Sequence, residues 1–301
     1  MGWRRLAIPS VAAVLVLIGC SPTEEAESAS ESSMTASSAV DALKQALTFH
    51  ASFDDGPDAA FANGDRRIYT APSYDEQDKA LPGIGNPDVE IVEGGRFGYA
   101  LKFNKKNVHA IFYRGEDNVS FTEGNWTGSV SFWLNLNPDE DLEPGYCDPI
   151  QITDSAYNDS AVWVDFTRDD TPRHFRLGIF GDLKAWNPEE LQPNDNPDFL
   201  NRLVVVSQHP FEQGKWTQVV ATYSDLGTGA GVAKLYLDGQ LQGSSEGIDE
   251  AFTWDMQKAA FRIGMNYVGL FDEAALFDRA LSQEEVTALH KLQDGVAALH
   301  P

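Results

Sequence analysis

The sequence predicts an all-β sandwich, and three observations support this prediction. From about Leu47 onward, short apolar and aromatic runs recur between Gly, Pro, Asn and Asp residues. This pattern is typical of short strands joined by turns. No long amphipathic pattern interrupts these runs until the end of the chain. The roughly 250 residues after the N-terminal region are within the size of one domain.

The N-terminus has the features of an export signal. Met1 to Arg5 carry positive charge, and Leu6 to Ile18 form an apolar run shorter than the ~20 residues that a membrane span needs. Gly19-Cys20 completes a stretch that resembles the lipobox of bacterial lipoproteins. The resemblance implies removal of residues 1–19 and acylation of Cys20, which anchors the protein to a membrane by lipid alone. An ordinary signal peptide cleaved elsewhere is the alternative.

Residues 20–44 are predicted to be the lipidated cysteine and a disordered tether. From Ser21 to about Ala39 the chain is largely Ser, Glu, Ala and Thr, which cannot offset the entropy of ordering. Ser21 follows the cysteine, where Asp would favour inner-membrane retention in Gram-negative bacteria. We therefore expect a cell-envelope protein at the outer membrane or cell surface, with its folded domain over residues 45–298.

The charge balance limits the classes of partner. Signal removal takes Arg4 and Arg5 away and changes the formal net charge from −24 to −26. A chain this acidic, with Lys and Arg scattered and never adjacent in more than pairs, is a poor partner for nucleic acid and favours a divalent cation. Once Cys20 is acylated, Cys147 is the remaining cysteine, so the mature chain has no intrachain disulfide.

The strands are predicted from period-two alternation. In Val130 to Leu136, apolar residues alternate with Ser131, Trp133 and Asn135, so the strand has two different faces. The same alternation recurs in four later segments, and Asp238-Gly239 after the last is a strong turn signal. These segments are Ala161 to Thr167, His174 to Phe180, Trp216 to Tyr223 and Ala233 to Leu237.

A short C-terminal helix is predicted from its start signals. Ser282 and Glu285 have the spacing of a capping box, and Leu281 and Val286 are placed to form a hydrophobic staple. We expect this helix to run to about Leu292.

Seven segments, taken in order, resemble the laminin-G-like, concanavalin-A-like jelly-roll domains. The resemblance implies two antiparallel sheets of curved strands whose first and last strands lie close together. The region from about Pro138 to Pro210 contains no matching motif. The matching segments are Phe53 to Gly56, Gly95 to Phe103, Gly128 to Trp133, Gly214 to Tyr223, Leu235 to Gly239, Phe261 to Gly264 and Phe271 to Ser282.

The resemblance also implies a structural calcium ion where the terminal strands meet. Asp54 and Asp272 match the acidic positions that such domains use, and the Gly98 carbonyl is a plausible third ligand. Calcium takes 6 to 8 oxygen ligands at about 2.3–2.6 Å, so carbonyls and water must complete the set. The alternative is that both aspartates bond to turn amides.

A carbohydrate site is predicted from aromatic and polar residues on strand faces. Sugar binding needs an aromatic face for the ring and polar groups for the hydroxyls. If three strands share one sheet, they supply such a groove, and Trp186 adds an aromatic in a loop. Otherwise the tryptophans pack against loops. The candidate ligand-binding residues are Trp133, Asn135, Trp163, Asp165, Arg176 and Trp186.

Catalysis has less support in the sequence. Retaining glycosidases of this fold resemble one another in three carboxylates alternating along one strand, whereas Trp163 to Thr167 offers Asp165 alone. The sequence therefore predicts a lipid-anchored module that binds glycan or a surface partner. A glycan-active lyase or hydrolase on the same fold is the alternative, and a structural or adhesive lipoprotein without a glycan site is a third hypothesis.

Overall fold

The computed structural model describes Met1 and residues 37–301. The predicted signal segment and Cys20 lie outside the described residues. By its contacts the chain divides into Met1–Ser38 and a compact unit, Ala39–Pro301. None of the helices in the described residues is long and apolar enough to cross a membrane.

Seventeen strands account for most of the regular structure in the described residues. In chain order they are β1 (Leu47–Ala51), β2 (Phe61–Ala62), β3 (Ile68–Ala71), β4 (Leu81–Pro82), β5 (Val89–Glu93), β6 (Tyr99–Phe103), β7 (Ala110–Arg114), β8 (Trp126–Asn135), β9 (Cys147–Thr153), β10 (Ala161–Phe166), β11 (Phe175–Phe180), β12 (Val204–Val206), β13 (Thr217–Leu226), β14 (Gly231–Leu237), β15 (Gln240–Ile248), β16 (Ala260–Met265) and β17 (Gly269–Phe277).

Helices are short and lie between or after the strands. The α-helices are α1 (residues 37–46), α2 (Pro138–Asp141), α3 (Leu183–Trp186), α4 (Pro197–Asn201) and α5 (Gln283–His290). Three 3₁₀ helices cover Tyr74–Lys79, Pro193–Asp195 and Gly295–Leu299.

The strands form two sheets, and every strand pair in the described residues is antiparallel. The first sheet has the order β15-β14-β13-β8-β17-β1-β2, with β6 also paired to β17 and β5 paired to β6. The second has the order β12-β11-β10-β9-β16-β7-β3-β4. The structure thus confirms the predicted sandwich, including the pairing of the first strand with the last.

Alternation along the strands builds the core between the sheets. Val130 and Phe132 of β8 face Val162, Val164 and similar residues of the second sheet within one buried cluster. The predicted turn after β14 is also confirmed. Asp238 and Gly239 both have positive φ, at 49° and 78°, as a two-residue hairpin turn requires.

A second cluster covers the outer face of the first sheet. Val220 and Tyr236 from the strands pack against Val286 and Leu289 of α5. Leu43 of α1 is fully buried in the same cluster. The compact unit therefore begins at Ala39, within the segment that the sequence predicted as tether, because the apolar positions of α1 have a surface to cover.

The N-terminus of α5 has the predicted capping box. The Ser282 hydroxyl accepts from the Glu285 amide, while the Glu285 carboxylate accepts from the Ser282 amide. Arg279 donates two hydrogen bonds to the same carboxylate, from Nη1 to Oε2 at 2.8 Å and from Nη2 to Oε1 at 2.6 Å.

We expect Ser282→Ala to lower the free energy of unfolding by about 1 kcal/mol, since a cap is lost. Urea unfolding followed by circular dichroism measures this difference. Ser244→Ala, which changes an exposed serine of β15, is the control and should leave stability unchanged. Equal stability of the two variants would contradict the capping role.

Candidate binding cleft

The outer face of the second sheet carries a group of polar and aromatic side chains. Val162, Val164 and Phe166 of β10 fill the core, so Trp163 and Asp165 point to the opposite face. Asp165 lies directly across from Arg176 in the β10–β11 register. Strand β9 flanks β10 on its other side, which brings Asp148 beside this pair.

Asp165 and Arg176 form a buried, two-pronged ion pair. Arg176 Nε donates to Asp165 Oδ1 at 2.8 Å, and Arg176 Nη2 donates to Asp165 Oδ2. The guanidinium also lies over two rings, 5.3 Å from the centre of Tyr146 and 5.8 Å from that of Trp163. Such a fork-to-carboxylate contact fixes both side chains in one geometry.

A cleft of about 520 Å³ opens above this ion pair. This volume is in the range of small-molecule sites. Two depressions of about 300 and 700 Å³ adjoin it and share part of its lining. The cleft is lined by Tyr146, Asp148, Tyr157, Trp163, Asp165, Arg168, Arg176, Gln192, Pro193, Asp195 and Phe199.

The segment between β11 and β12 forms one wall of the cleft. Its Trp186 and Phe199 join Trp163 and Phe180 in a small aromatic cluster on the outer face of the sheet. Trp186 Nε1 donates to the Asn158 carbonyl at 3.0 Å, which ties the segment to the loop before β10. Because this cluster covers only part of the face, the cleft stays open beside it.

Glycine at position 178 lets the Trp163 ring lie flat on the sheet. A Cβ there would come 2.2 Å from Trp163 Cζ2, well inside van der Waals contact. Trp163 itself is 1% exposed, so it forms the floor of the cleft rather than an open stacking surface. Tyr157 is 37% exposed and meets Trp163 edge to face.

Asp148 is the unusual titratable group of the cleft. Burial and the nearby charge of Asp165 raise the pKa of Asp148 to about 8, while a hydrogen bond from Gln151 opposes this rise. Burial also raises the pKa of Asp165, with Arg176 acting against it. Asp148 therefore keeps its proton at neutral pH and presents an O–H donor, whereas Asp165 is held by a guanidinium.

The structure brings together three of the predicted ligand-binding residues and separates the others. Trp163, Asp165 and Arg176 line the cleft, and Trp186 is 4% exposed in the aromatic cluster behind it. The rings of Trp163 and Trp186 are therefore largely covered by Phe180 and Phe199. The exposed ring of Tyr157 and the ring of Tyr146 line the cleft instead.

Trp133 and Asn135 do not reach the cleft, so the predicted groove across three strands is wrong. Both belong to β8 of the first sheet, whereas β10 and β11 belong to the second. The Trp133 ring stacks on His290 of α5, with centroids 5.4 Å apart. The Asn135 side chain accepts from the Gly214 amide at 2.8 Å.

Sequence reasoning missed Asp148, Arg168 and Gln192 as cleft residues. All three lie in the region from Pro138 to Pro210, which contains no motif that resembles the family. For Asp148, the register of β9 shifts against β10 between Val164 and Phe166, so simple alternation does not predict its direction.

The predicted calcium ligands lie around one loop. Asp272 Oδ2 accepts from the Arg96 amide at 2.7 Å, and Asp54 Oδ1 accepts from the Tyr99 amide at 2.8 Å. The Gly98 carbonyl accepts from the Gly94 and Gly95 amides, so it is not directed at a cation. These contacts are those of the alternative, in which the aspartates bind turn amides.

The two carboxylates still have chemistry that suits a cation. Burial, together with the charge of Glu273, raises the pKa of Asp272 to about 9. A divalent ion would offset the repulsion between the Asp272 and Glu273 carboxylates. Among the described residues, no group of three or more His, Cys, Asp or Glu side chains is placed to hold a metal. Asp54 and Asp272 thus fit part of a calcium site, and backbone carbonyls or water would have to supply the rest.

The family described as the concanavalin A-like lectin/glucanases superfamily, of laminin G type, matches residues 113–287. The chain belongs to this family. Comparison with curated proteins found no match.

Several solved structures share the fold of this family member. Domain 4 of AbnA, a GH43 extracellular arabinanase from Geobacillus stearothermophilus solved with arabinotriose, is 20% identical with a TM-score of 0.51, covering 82% of this chain and 98% of that one. The binding domain of botulinum neurotoxin serotype D is 14% identical with a TM-score of 0.52, covering 84% and 52%.

A third similar structure is a botulinum neurotoxin type C chain whose cell entry is described as dependent on two ganglioside molecules. It is 12% identical with a TM-score of 0.53, covering 82% of this chain and 51% of that one. The chain thus spans about half of each toxin chain. At these identities the likeness extends to the fold alone.

We expect Asp148→Asn to raise the melting temperature at pH 9 and to change it little at pH 5. The folded protein holds the Asp148 proton up to about pH 8, whereas the unfolded chain releases it near pH 4. The free energy of unfolding therefore falls as pH rises from about 4 to 8 and then stays level. Asparagine does not titrate, so the variant avoids this loss of stability at high pH. For a domain of this size, each 1 kcal/mol in the free energy of unfolding changes the melting temperature by roughly 2–4 °C.

Thermal melts at several pH values measure the difference between variant and parent. Asp195→Asn, which changes an exposed carboxylate of the same cleft, is the control. A difference between Asp148→Asn and the parent that does not depend on pH would contradict the assignment of a protonated Asp148.

Proposed function

We propose that this protein is a carbohydrate-binding module whose site is the cleft on the outer face of the second sheet. The observation that carries this proposal is the combination of tyrosine rings with a donor carboxyl, a guanidinium and an amide in one cleft. Sugar rings pack their apolar face on aromatic side chains, and their hydroxyls need both donors and acceptors. Tyr157, Asp148, Arg176 and Gln192 supply these groups together.

The family supports this proposal at the level of the fold. Members carry lectin and glucanase names, and the arabinanase domain with the same fold was solved with arabinotriose. A net charge of −24 argues against nucleic acid as a partner of this module.

We also propose that the module is attached to the cell envelope through a lipid on Cys20. The basic start, the short apolar run and the Gly19-Cys20 step support this anchor. Ser21 supports the outer membrane or cell surface over the inner membrane. Glycan binding at that location would serve capture or adhesion.

Glycan hydrolysis is the second candidate function, and one observation favours it. A carboxyl group that keeps its proton lies beside a second carboxyl group, which is the pairing of general acid and carboxylate used in glycoside hydrolysis. Asp148 would be the acid and Asp165 the carboxylate, although Arg176 already engages both oxygens of Asp165. This engagement weakens Asp165 as a base, so binding is the better-supported function.

We expect Tyr157→Ala to weaken glycan binding about tenfold, a loss of about 1.4 kcal/mol, because the exposed ring of the cleft is removed. Titration calorimetry with the glycan selected from an array measures the change. Tyr99→Ala is the matched control, since Tyr99 is equally exposed, at 38%, on the first sheet. Equal weakening by both variants, or by neither, would refute the cleft as the site.

Incubation of the parent protein and of Asp148→Asn with the selected glycan decides between binding and hydrolysis. New reducing ends that appear with the parent and disappear with Asp148→Asn would establish turnover at this cleft. Intact glycan after prolonged incubation, together with binding, would establish the binding function alone.

Calcium at Asp54 and Asp272 remains a prediction with a direct test. A ligand that binds the native state alone adds about 4.1 kcal/mol at a thousandfold excess over its dissociation constant. We therefore expect calcium to raise the melting temperature relative to EDTA, and Asp54→Asn to reduce this rise. Identical melting in calcium and EDTA would remove the calcium prediction.

A further inference from the structure

The arginines of the cleft are already paired with carboxylates. Arg176 donates two hydrogen bonds to Asp165, and Arg168 Nε donates to Asp169 Oδ2. Arg168 also lies over the Tyr146 ring, 5.5 Å from its centre. A ligand carboxylate entering the cleft would share either cation with a carboxylate that is already bound to it, which reduces the net attraction that the ligand gains.

The acidic residues of the cleft leave its lining without a net positive charge. Asp148 is half-buried, and it is uncharged at neutral pH because burial and the charge of Asp165 raise its pKa to about 8. Asp195 lines the cleft from the exposed 3₁₀ turn, and within the described residues no Lys, Arg or His forms a salt bridge with it. With two arginines set against Asp165 and Asp195, the lining is close to neutral, while the chain as a whole is strongly negative.

We infer that the cleft takes an uncharged glycan and excludes sugars that carry carboxylate or sulfate groups. This inference rests on the proposed carbohydrate-binding function and specifies its ligand class. Hydroxyl groups can use the remaining N–H donors of Arg176, the Asp148 carboxyl and the Gln192 amide without breaking either ion pair. An anionic group would be repelled by Asp195 and by the net charge of the protein.

The ligand is an oligosaccharide of several sugar units rather than a single sugar. The 300 Å³ depression shares Tyr146, Arg168 and Arg176 with the central cleft, and the 700 Å³ depression shares Tyr157, Gln192 and Pro193 with it. The two sets of shared residues are different, so the central cleft connects two separate neighbours. A continuous groove of this kind gains contacts with each further sugar.

The test is calorimetric titration of the purified protein with trisaccharides of two charge classes. The neutral set contains arabinan, xylan, mannan, glucan and galactan trimers, and the acidic set contains galacturonate and alginate trimers. We expect at least one neutral trimer to bind tenfold or more tightly than any acidic trimer, and its monosaccharide to bind at least tenfold more weakly. Tighter binding of an acidic trimer would overturn the inference and leave the carbohydrate site intact. Absence of binding by every trimer would overturn the proposed function itself.

A charge variant tests the stated cause of the selectivity. Asp169→Asn frees Arg168 from its partner at an exposed position, where folding is not at risk. We expect its affinity for the galacturonate trimer to rise at least fivefold, with its neutral-trimer affinity within twofold of the parent. Asp88→Asn is the control, since it releases Lys105 from a salt bridge away from the groove. An unchanged or equally raised galacturonate affinity in the two variants would show that arginine pairing does not exclude acidic sugars.

Discussion

The site depends on the ion pair between Asp165 and Arg176, which crosses from β10 to β11 on the outer face of the second sheet. A buried pair of this kind is costly to break, because the remaining partner is left as an uncompensated charge. Its guanidinium lies against Tyr146 and Trp163, and the Asp165 charge helps keep Asp148 protonated. The ion pair therefore contacts the floor of the cleft and one of its lining rings, and its carboxylate adds to the effect of burial that keeps the proton on Asp148.

The two outer faces of the sandwich serve different purposes. On the first sheet, α5 and the last 3₁₀ helix seal the face with apolar residues such as Val286 and Leu299. Trp133 is part of that closure. On the second sheet, an aromatic cluster around Phe180 covers only a part, and polar groups occupy the remainder. A binding cleft can thus exist on one face because the other face and the interior supply the packed core.

The sequence was sufficient to predict five strands (β8, β10, β11, β13 and β14), the hairpin turn and the capped helix, because alternation and capping are local. It was also sufficient to group Trp163, Asp165 and Arg176, which lie on adjacent strands of one hairpin. It failed for Trp133, because alternation assigns a side chain to a face of its strand and not to one of two sheets. Asp148 was missed because a register shift and a long-range neighbour determine its position and its pKa. The start of the compact unit at Ala39 depended on the surface that α1 covers.

The most direct test of the cleft is a proton–nitrogen correlation spectrum of the tryptophan indole groups during titration with the selected glycan. Trp163 Nε1 has no hydrogen-bond partner among the described residues, and its ring forms the cleft floor. We predict that the Trp163 indole signal, assigned with Trp163→Phe, shifts on binding while the Trp133 signal stays fixed. A shift of Trp133 with an unchanged Trp163 would contradict the account and would place the ligand on the first sheet.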